Sequence, residues 1–209
     1  MGVVKIVAVA AFAVPVAVLL GAAVLVAGGG DGPEGAGSGA LPADLATADS
    51  GDAAVAVARR SALVIVKEIA ERITPEMGVA HERLVEAGKR RGEDYRLWRD
   101  FLQPLRAQYG VTCLYTMVRL DRETAGVVVE AAEDPDDVDA WMAAYELEPA
   151  MKRAFAGRAA ASRGEPWFDP RIRGGAPHVR ALAPIVDDRG EVVAIVGVDL
   201  EVGDQRVAR

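Results

Sequence analysis

Pro177-His-Val-Arg-Ala-Leu-Ala-Pro-Ile-Val186, Asp187-Asp-Arg-Gly190 and Glu191-Val-Val-Ala-Ile-Val-Gly-Val-Asp-Leu200 decide how this chain folds. Two runs of alternating, β-branched character flank a short polar turn, which predicts an antiparallel hairpin. The turn sets a provisional register: Val186 opposite Glu191, Leu182 opposite Ile195, Arg180 opposite Gly197 and His178 opposite Asp199. One face is wholly apolar: Val179, Ala181, Ala183 and Ile185 with Val192, Ala194, Val196, Val198 and Leu200. That face is expected to pack on helices. The other carries His178, Arg180, Leu182 and Pro184 with Val193, Ile195, Gly197 and Asp199, apolar near the turn and charged at the far end.

Upstream, residues 112–120 and 126–132 read as two further strands around the turn Asp121-Arg-Glu-Thr124. Leu114, Thr116, Val118 and Leu120 form the blander face of the first, and Cys113, Tyr115, Met117 and Arg119 the mixed one. On the second, Val128, Glu130 and Ala132 alternate in the same way. A face that mixes aromatic, apolar and charged groups suits a small polar ligand, with walls and a few orienting groups. The plainer reading is that His178, Arg180 and Asp199 are solvated or paired with one another.

Before these strands the period is helical. Leu63, Val66, Ile69 and Ile73 repeat at steps of three and four. Pro75 interrupts, Met77, Ala80, Leu84 and Ala87 resume, and Tyr95, Trp98, Leu102, Leu105 and Tyr109 form a third stripe that Gly110 ends. Such stripes are core-facing first and partner-binding second. Pro104 is expected to bend the third helix. Residues 138–147 and 149–156 read as short helices, with Pro149 at a first helical position and Gly157 as a stop. Residues 158–176, with Trp167-Phe168-Asp169-Pro170, are less regular.

At the N-terminus, residues 6–27 carry no charge and are long enough to span a bilayer. A signal peptide usually has a shorter apolar core and a small-x-small cleavage site, but the best cut, after Ala27, has Leu25 where a small residue is wanted. Lys5 precedes the span and Asp31, Glu34, Asp44, Asp49 and Asp52 follow it, so the N-terminus is expected inside and the remainder exported. The expected organisation is an anchor at 1–28, a Gly-rich linker at 29–49, a folded domain at 50–202 and a tail at 203–209.

Net charge is −7, which argues against nucleic acid as a partner. A single cysteine, Cys113, excludes an internal disulfide and reads as a buried strand residue. His81-Glu82 lacks the second histidine of a zinc-protease helix, no G-x-S-x-G elbow occurs, and the acidic run 133–139 lacks the glycine of an EF-hand loop. No catalytic residue, metal or cofactor is expected.

Several of these segments together resemble the extracytoplasmic Cache sensor domains. Tyr109–Met117 is similar to their "YIYTM"-type strand and Val127–Glu130 to their "VVDA". The Tyr145, Pro149–Ala154 and Gly157 pattern is similar to a helix of the family, and Ala183–Gly190 with Val196–Leu200 to its closing hairpin. The resemblance covers roughly residues 50–202 and lies in order and spacing more than in any one motif. It implies a PAS-like α+β fold: a long helix behind an antiparallel sheet, with a ligand pocket on the opposite face. It implies a non-enzymatic sensory role in signal transduction. Glu165–Arg171 stands where the family has a "DEWGTW" segment. No second span or output domain follows Val202, so the chain reads either as a fragment of a longer receptor or as a sensor without its own output.

The expected ligand-binding set is Tyr115, Met117, Arg119, Glu130, Trp167, Asp169, His178, Arg180 and Asp199. Both signs of charge are present, so a small carboxylate or a zwitterion such as an amino acid is the expected ligand. The long-helix stripe Leu63, Val66, Ile69 and Ile73 suggests a homodimer through the N-terminal helices. The competing expectation is a surface interaction module that keeps the fold and has no ligand.

Overall fold

A computed structural model describes residues 43–131, 141–163, 166–167 and 177–203, with side chains from residue 51 onward. The proposed span at 6–27, Asp169, residues 138–140 and the tail from 204 lie outside the described residues. Among the described residues no helix is long and apolar enough to cross a membrane.

Three helices come first: α1 (Ala43–Glu71), α2 (Pro75–Ala87) and α3 (Glu93–Tyr109). Pro75 opens α2, where its missing N–H costs nothing, and Gly88 and Gly110 take left-handed conformations (φ 63° and 64°) just past the ends of α2 and α3. Pro104 lies within α3 on its exposed side.

Six strands follow and form one antiparallel sheet: β1 (Cys113–Arg119), β2 (Thr124–Glu130), β3 (Ala144–Glu146), β4 (Ala160–Ala161), β5 (His178–Val186) and β6 (Val192–Glu201), in the spatial order β3-β2-β1-β6-β5-β4. Helix α4 (Pro149–Phe155) lies between β3 and β4 in the chain. The architecture is a PAS-like α+β fold.

Both hairpin turns are tied by an aspartate. Asp121 Oδ1 accepts the amides of Glu123 and Thr124, each at 2.7 Å. Asp187 Oδ1 accepts those of Arg189 and Glu191 at 3.0 and 2.8 Å.

One sheet face is covered by α1, α2 and α3. Its core holds Ala62, Val66, Ile69, Leu84, Trp98 and Leu102 against Leu114, Val129, Ala181, Ala183, Ile185, Ala194, Val196 and Val198. This is the hairpin face expected to meet the helices. The opposite face is covered by α4, where Ala150, Met151 and Ala154 pack on Tyr115, Met117, Ala125, Val127, Leu182 and Ile195.

Four expectations need correction. The β5–β6 register is Arg180 opposite Asp199, Leu182 opposite Gly197 and His178 opposite Glu201. It differs by two residues from the provisional one because an irregularity between Ile185 and Val186 follows a longer turn. A shift of two keeps the side chains from Ala194 onward on their expected faces, whereas beside the irregularity Val193 packs with the helix-side core and not on the outer face. On β2, Val128 does not share the face of Glu130. The β1–β2 register shifts between Thr116 and Met117, so Val128 and Val129 both enter the helix-side core while Val127 pairs with Met117. Residues 144–146 are strand, not helix: they supply the partner that the outer edge of β2 needs, pairing with Thr124–Gly126. Finally, Val66 and Ile69 are wholly buried under the sheet, with Leu63 and Ile73 at the margin, so this stripe is core and not a free dimer surface.

Candidate ligand-binding site

The charged end of the outer face is built around Arg180. The observed register sets Arg180 directly opposite Asp199, and β1 places Tyr115 beside them, paired with Gly197. Arg180 Nε donates to Asp199 Oδ1 at 3.0 Å and its Nη1 to Glu148 Oε1 at 3.3 Å. The Tyr115 hydroxyl donates to Asp199 Oδ1 at 3.3 Å. The guanidinium lies 5.7 Å from the Tyr115 ring centroid and 5.4 Å from that of Trp167, so it is held between two aromatic faces. Ser162 Oγ donates to the other oxygen of Glu148 at 3.3 Å.

Gly197 makes this possible. A Cβ there would lie 2.5 Å from the Tyr115 ring, so only glycine lets the tyrosine lie flat across β6.

Burial controls the protonation states. The Tyr115 phenol is pushed well above its ordinary range, first by burial and then by the Asp199 charge against the opposing pull of Arg180. It remains a hydrogen-bond donor. Burial disfavours the Arg180 charge, but the nearby Asp199 and Glu148 carboxylates outweigh it and hold the guanidinium protonated. The group therefore carries one cation and two carboxylates.

His178 closes the far side. Trp167 and His178 exchange backbone hydrogen bonds at 3.0 and 2.8 Å, and their rings lie 5.4 Å apart. His178 Nε2 meets Thr112 Oγ1 at 3.1 Å. Trp167 Nε1 and His178 Nδ1 are buried without a hydrogen-bond partner among the described residues. Unpaired buried polar atoms of this kind are uncommon in folded proteins.

The structure thus brings Tyr115, Trp167, His178, Arg180 and Asp199 together, with the buried Glu130 paired opposite Tyr115. Met117 lies farther along β1, in the apolar cluster with Met151, Leu182 and Ile195. Arg119 does not join the group. It is exposed at the opposite end of β1, 5.6 Å from the Phe155 ring centroid, with five residues of strand between it and Cys113, which faces Asp199. Glu148 and Thr112 were not anticipated. Glu148 precedes α4 far from Arg180 in sequence, and no local pattern marks such a pairing.

No protein-family model matches the chain, and no curated protein matches it. Among solved structures it is similar to the ligand-binding domain of the Pseudomonas aeruginosa PAO1 amino-acid chemoreceptor PctC in complex with GABA (14% identity, TM-score 0.43, 76% of this chain and 61% of that one). It is similar to the sensory domain of the Campylobacter jejuni chemoreceptor Tlp3 (8% identity, TM-score 0.40, 76% of this chain and 62% of that one). A third similar structure is the A. aeolicus nlh2 GAF domain in an inactive state (13% identity, TM-score 0.35, 62% of this chain and 85% of that one). The chain spans about three fifths of the length of the two chemoreceptor domains.

Proposed function

We infer that this chain is a non-enzymatic sensor domain, anchored outside the membrane by residues 6–27, that binds a small carboxylate or zwitterion beside Arg180. The observation that carries this reading is the half-buried guanidinium between Tyr115 and Trp167, with two buried nitrogens nearby that have no partner among the described residues, Trp167 Nε1 and His178 Nδ1. A ligand carboxylate would take the guanidinium edge now occupied by Asp199. A ligand ammonium would then be received by the carboxylates of Asp199 and Glu148. Two anions against one cation favour a ligand that brings its own positive charge, so a zwitterion fits better than a plain acid. Binding would shift the domain by its differential affinity for the two arrangements of this network.

A second reading has its own support. Arg180 and Asp199 already satisfy one another, and α4 fills the rest of the outer face with Met151 against Leu182 and Ile195. A surface interaction module without a ligand would look the same.

A thermal-shift screen of the purified full chain against amino acids and organic acids separates the two. A stabilising hit that Arg180→Ala abolishes supports the sensor; no shift across a broad library supports the interaction module. Pairing of two copies through the N-terminal helices would bring together Val57 and Val64, the exposed large apolar side chains among the described residues of α1. An alkaline-carbonate wash tests the anchor: retention in the membrane supports it, and release of a shorter soluble form supports a cleaved signal peptide.

A further inference from the structure

On the helix side of the sheet, His81 on α2 is wholly buried. Its Nε2 lies 2.9 Å from Thr116 Oγ1 on β1, and the same hydroxyl oxygen accepts the Val129 amide of β2 at 3.2 Å. One threonine hydroxyl therefore joins a helix to two strands where their register shifts. The other imidazole nitrogen, Nδ1, has no hydrogen-bond partner. The indole of Trp98 on α3 closes over it, with ring centroids 5.2 Å apart and planes nearly perpendicular, and offers no acceptor. One turn earlier, α2 lies so close to the sheet that a Cβ at Gly78 would collide with the Val186 carbonyl. Glycine at this position is what lets α2 sit directly on the sheet.

We propose that His81 is an acid-operated latch: neutral, it ties α2 to the sheet through Thr116; protonated, it cannot remain in that site, and α2 releases. A protonated imidazole needs an acceptor at each nitrogen, and Nδ1 has none. No charged neighbour compensates. On α2, Glu82 pairs with Arg189 and Arg83 with Asp94, both at the surface. Helix α3 turns Trp98 and Leu102 inward and leaves Arg99 and Asp100 exposed, while the sheet presents Leu114, Thr116, Val129 and Val196. In the β5–β6 turn the Asp187 carboxylate is engaged by Arg189 and by two amides. Burial alone accordingly depresses the imidazole from 6.5 to about 4. The sign follows. The seated state is fully favoured above the ordinary histidine pKa of about 6.5, and loses ground as pH falls toward 4 because only the released state takes up the proton there. Between pH 7 and pH 5 this linkage shifts the seated-to-released equilibrium by about 20-fold. The latch lies across the sheet from Arg180 and operates with or without a ligand there.

Hydrogen exchange of the full chain, corrected for the intrinsic effect of pH, tests this. Protection of residues 75–87 is expected to fall about 20-fold between pH 7 and pH 5, well beyond any loss at residues 192–201. His81→Phe should remove that acid-dependent loss. Equal protection of residues 75–87 at both pH values would overturn the proposal, as would a His81→Phe chain that keeps the full loss. Should His81→Phe not fold, the imidazole resonances of the wild-type chain decide, because the chain has only two histidines and His178→Gln assigns them. His81 titrating in step with the loss of α2 protection supports the latch. Titration near pH 6.5 with α2 still protected rules it out.

Discussion

Two histidine–threonine–tryptophan groups lie on opposite faces of one sheet. On the helix side His81 meets Thr116 at 2.9 Å and Trp98 at 5.2 Å; on the outer side His178 meets Thr112 at 3.1 Å and Trp167 at 5.4 Å. In both groups the second imidazole nitrogen and the indole N–H lack a partner. The surroundings differ. The first group is enclosed by Leu84, Leu102, Leu114 and Val129, so its polar atoms have no access to a ligand and bear on how firmly α2 is seated. The second adjoins Arg180, Asp199 and the half-buried Trp167 at the edge of the fold, where polar atoms can exchange one partner for another. The same three residue types thus make a closed joint in one place and the rim of a candidate binding site in the other.

The comparison breaks most visibly at the tryptophans. Trp98→Ala is expected to cost about 3–5 kcal/mol, because the ring is fully buried and leaves a cavity. Trp167→Ala, at a half-buried position, should cost about 1 kcal/mol. Urea unfolding of both variants measures this, and equal losses would mean that the outer group is as structural as the inner one.

Asp199→Ala is expected to cost about 3 kcal/mol, since it removes the buried partner of the Arg180 guanidinium and leaves it only the more exposed Glu148. The double substitution Arg180→Met with Asp199→Leu should recover most of that. If the recovered chain no longer responds to any amino acid that stabilised the wild type, the pair serves binding more than folding. A response that survives would place the ligand elsewhere.

The threonines sharpen the contrast on a smaller scale. Thr116→Val removes the acceptor of the buried Val129 amide and the partner of His81, and should cost about 1–3 kcal/mol. Thr112→Val, at a half-buried position, should cost less than about 1 kcal/mol in thermal or urea unfolding. The smallest effect belongs to the outside of α1. Val64→Lys, at an exposed position, should leave stability within about 0.5 kcal/mol. If the chain dimerises through α1, light scattering should show the substitution shifting it to monomer.

Much of this architecture was legible in the sequence. Helical stripes at three- and four-residue steps announced α1, α2 and α3, because a helix must turn one face to the core. Strict alternation on β5 and on β6 from Ala194 assigns side chains to their faces, and that assignment survives a register shift of two; Val193, beside the irregularity, lies with the helix-side core instead. Residues 144–146 are strand where the sequence predicts helix, because a short segment has no clear period of its own and the open edge of β2 decides its conformation.

What the sequence determined by itself is periodicity: which stretches are helix or strand, which face of each is apolar, and which polar residues share the opposite face. Those follow from local geometry and from the removal of apolar surface from water. Tertiary structure alone decided the partners. It brought Glu148 to Arg180 across 32 residues and Thr116 to His81 across 35, and it placed Tyr115 flat over Gly197. It also left Arg119 at the far end of β1, away from the charges with which alternation along the strand groups it. Hydrogen bonds and ion pairs act over a few ångströms, and only the folded chain sets distances of that size between residues so far apart in sequence.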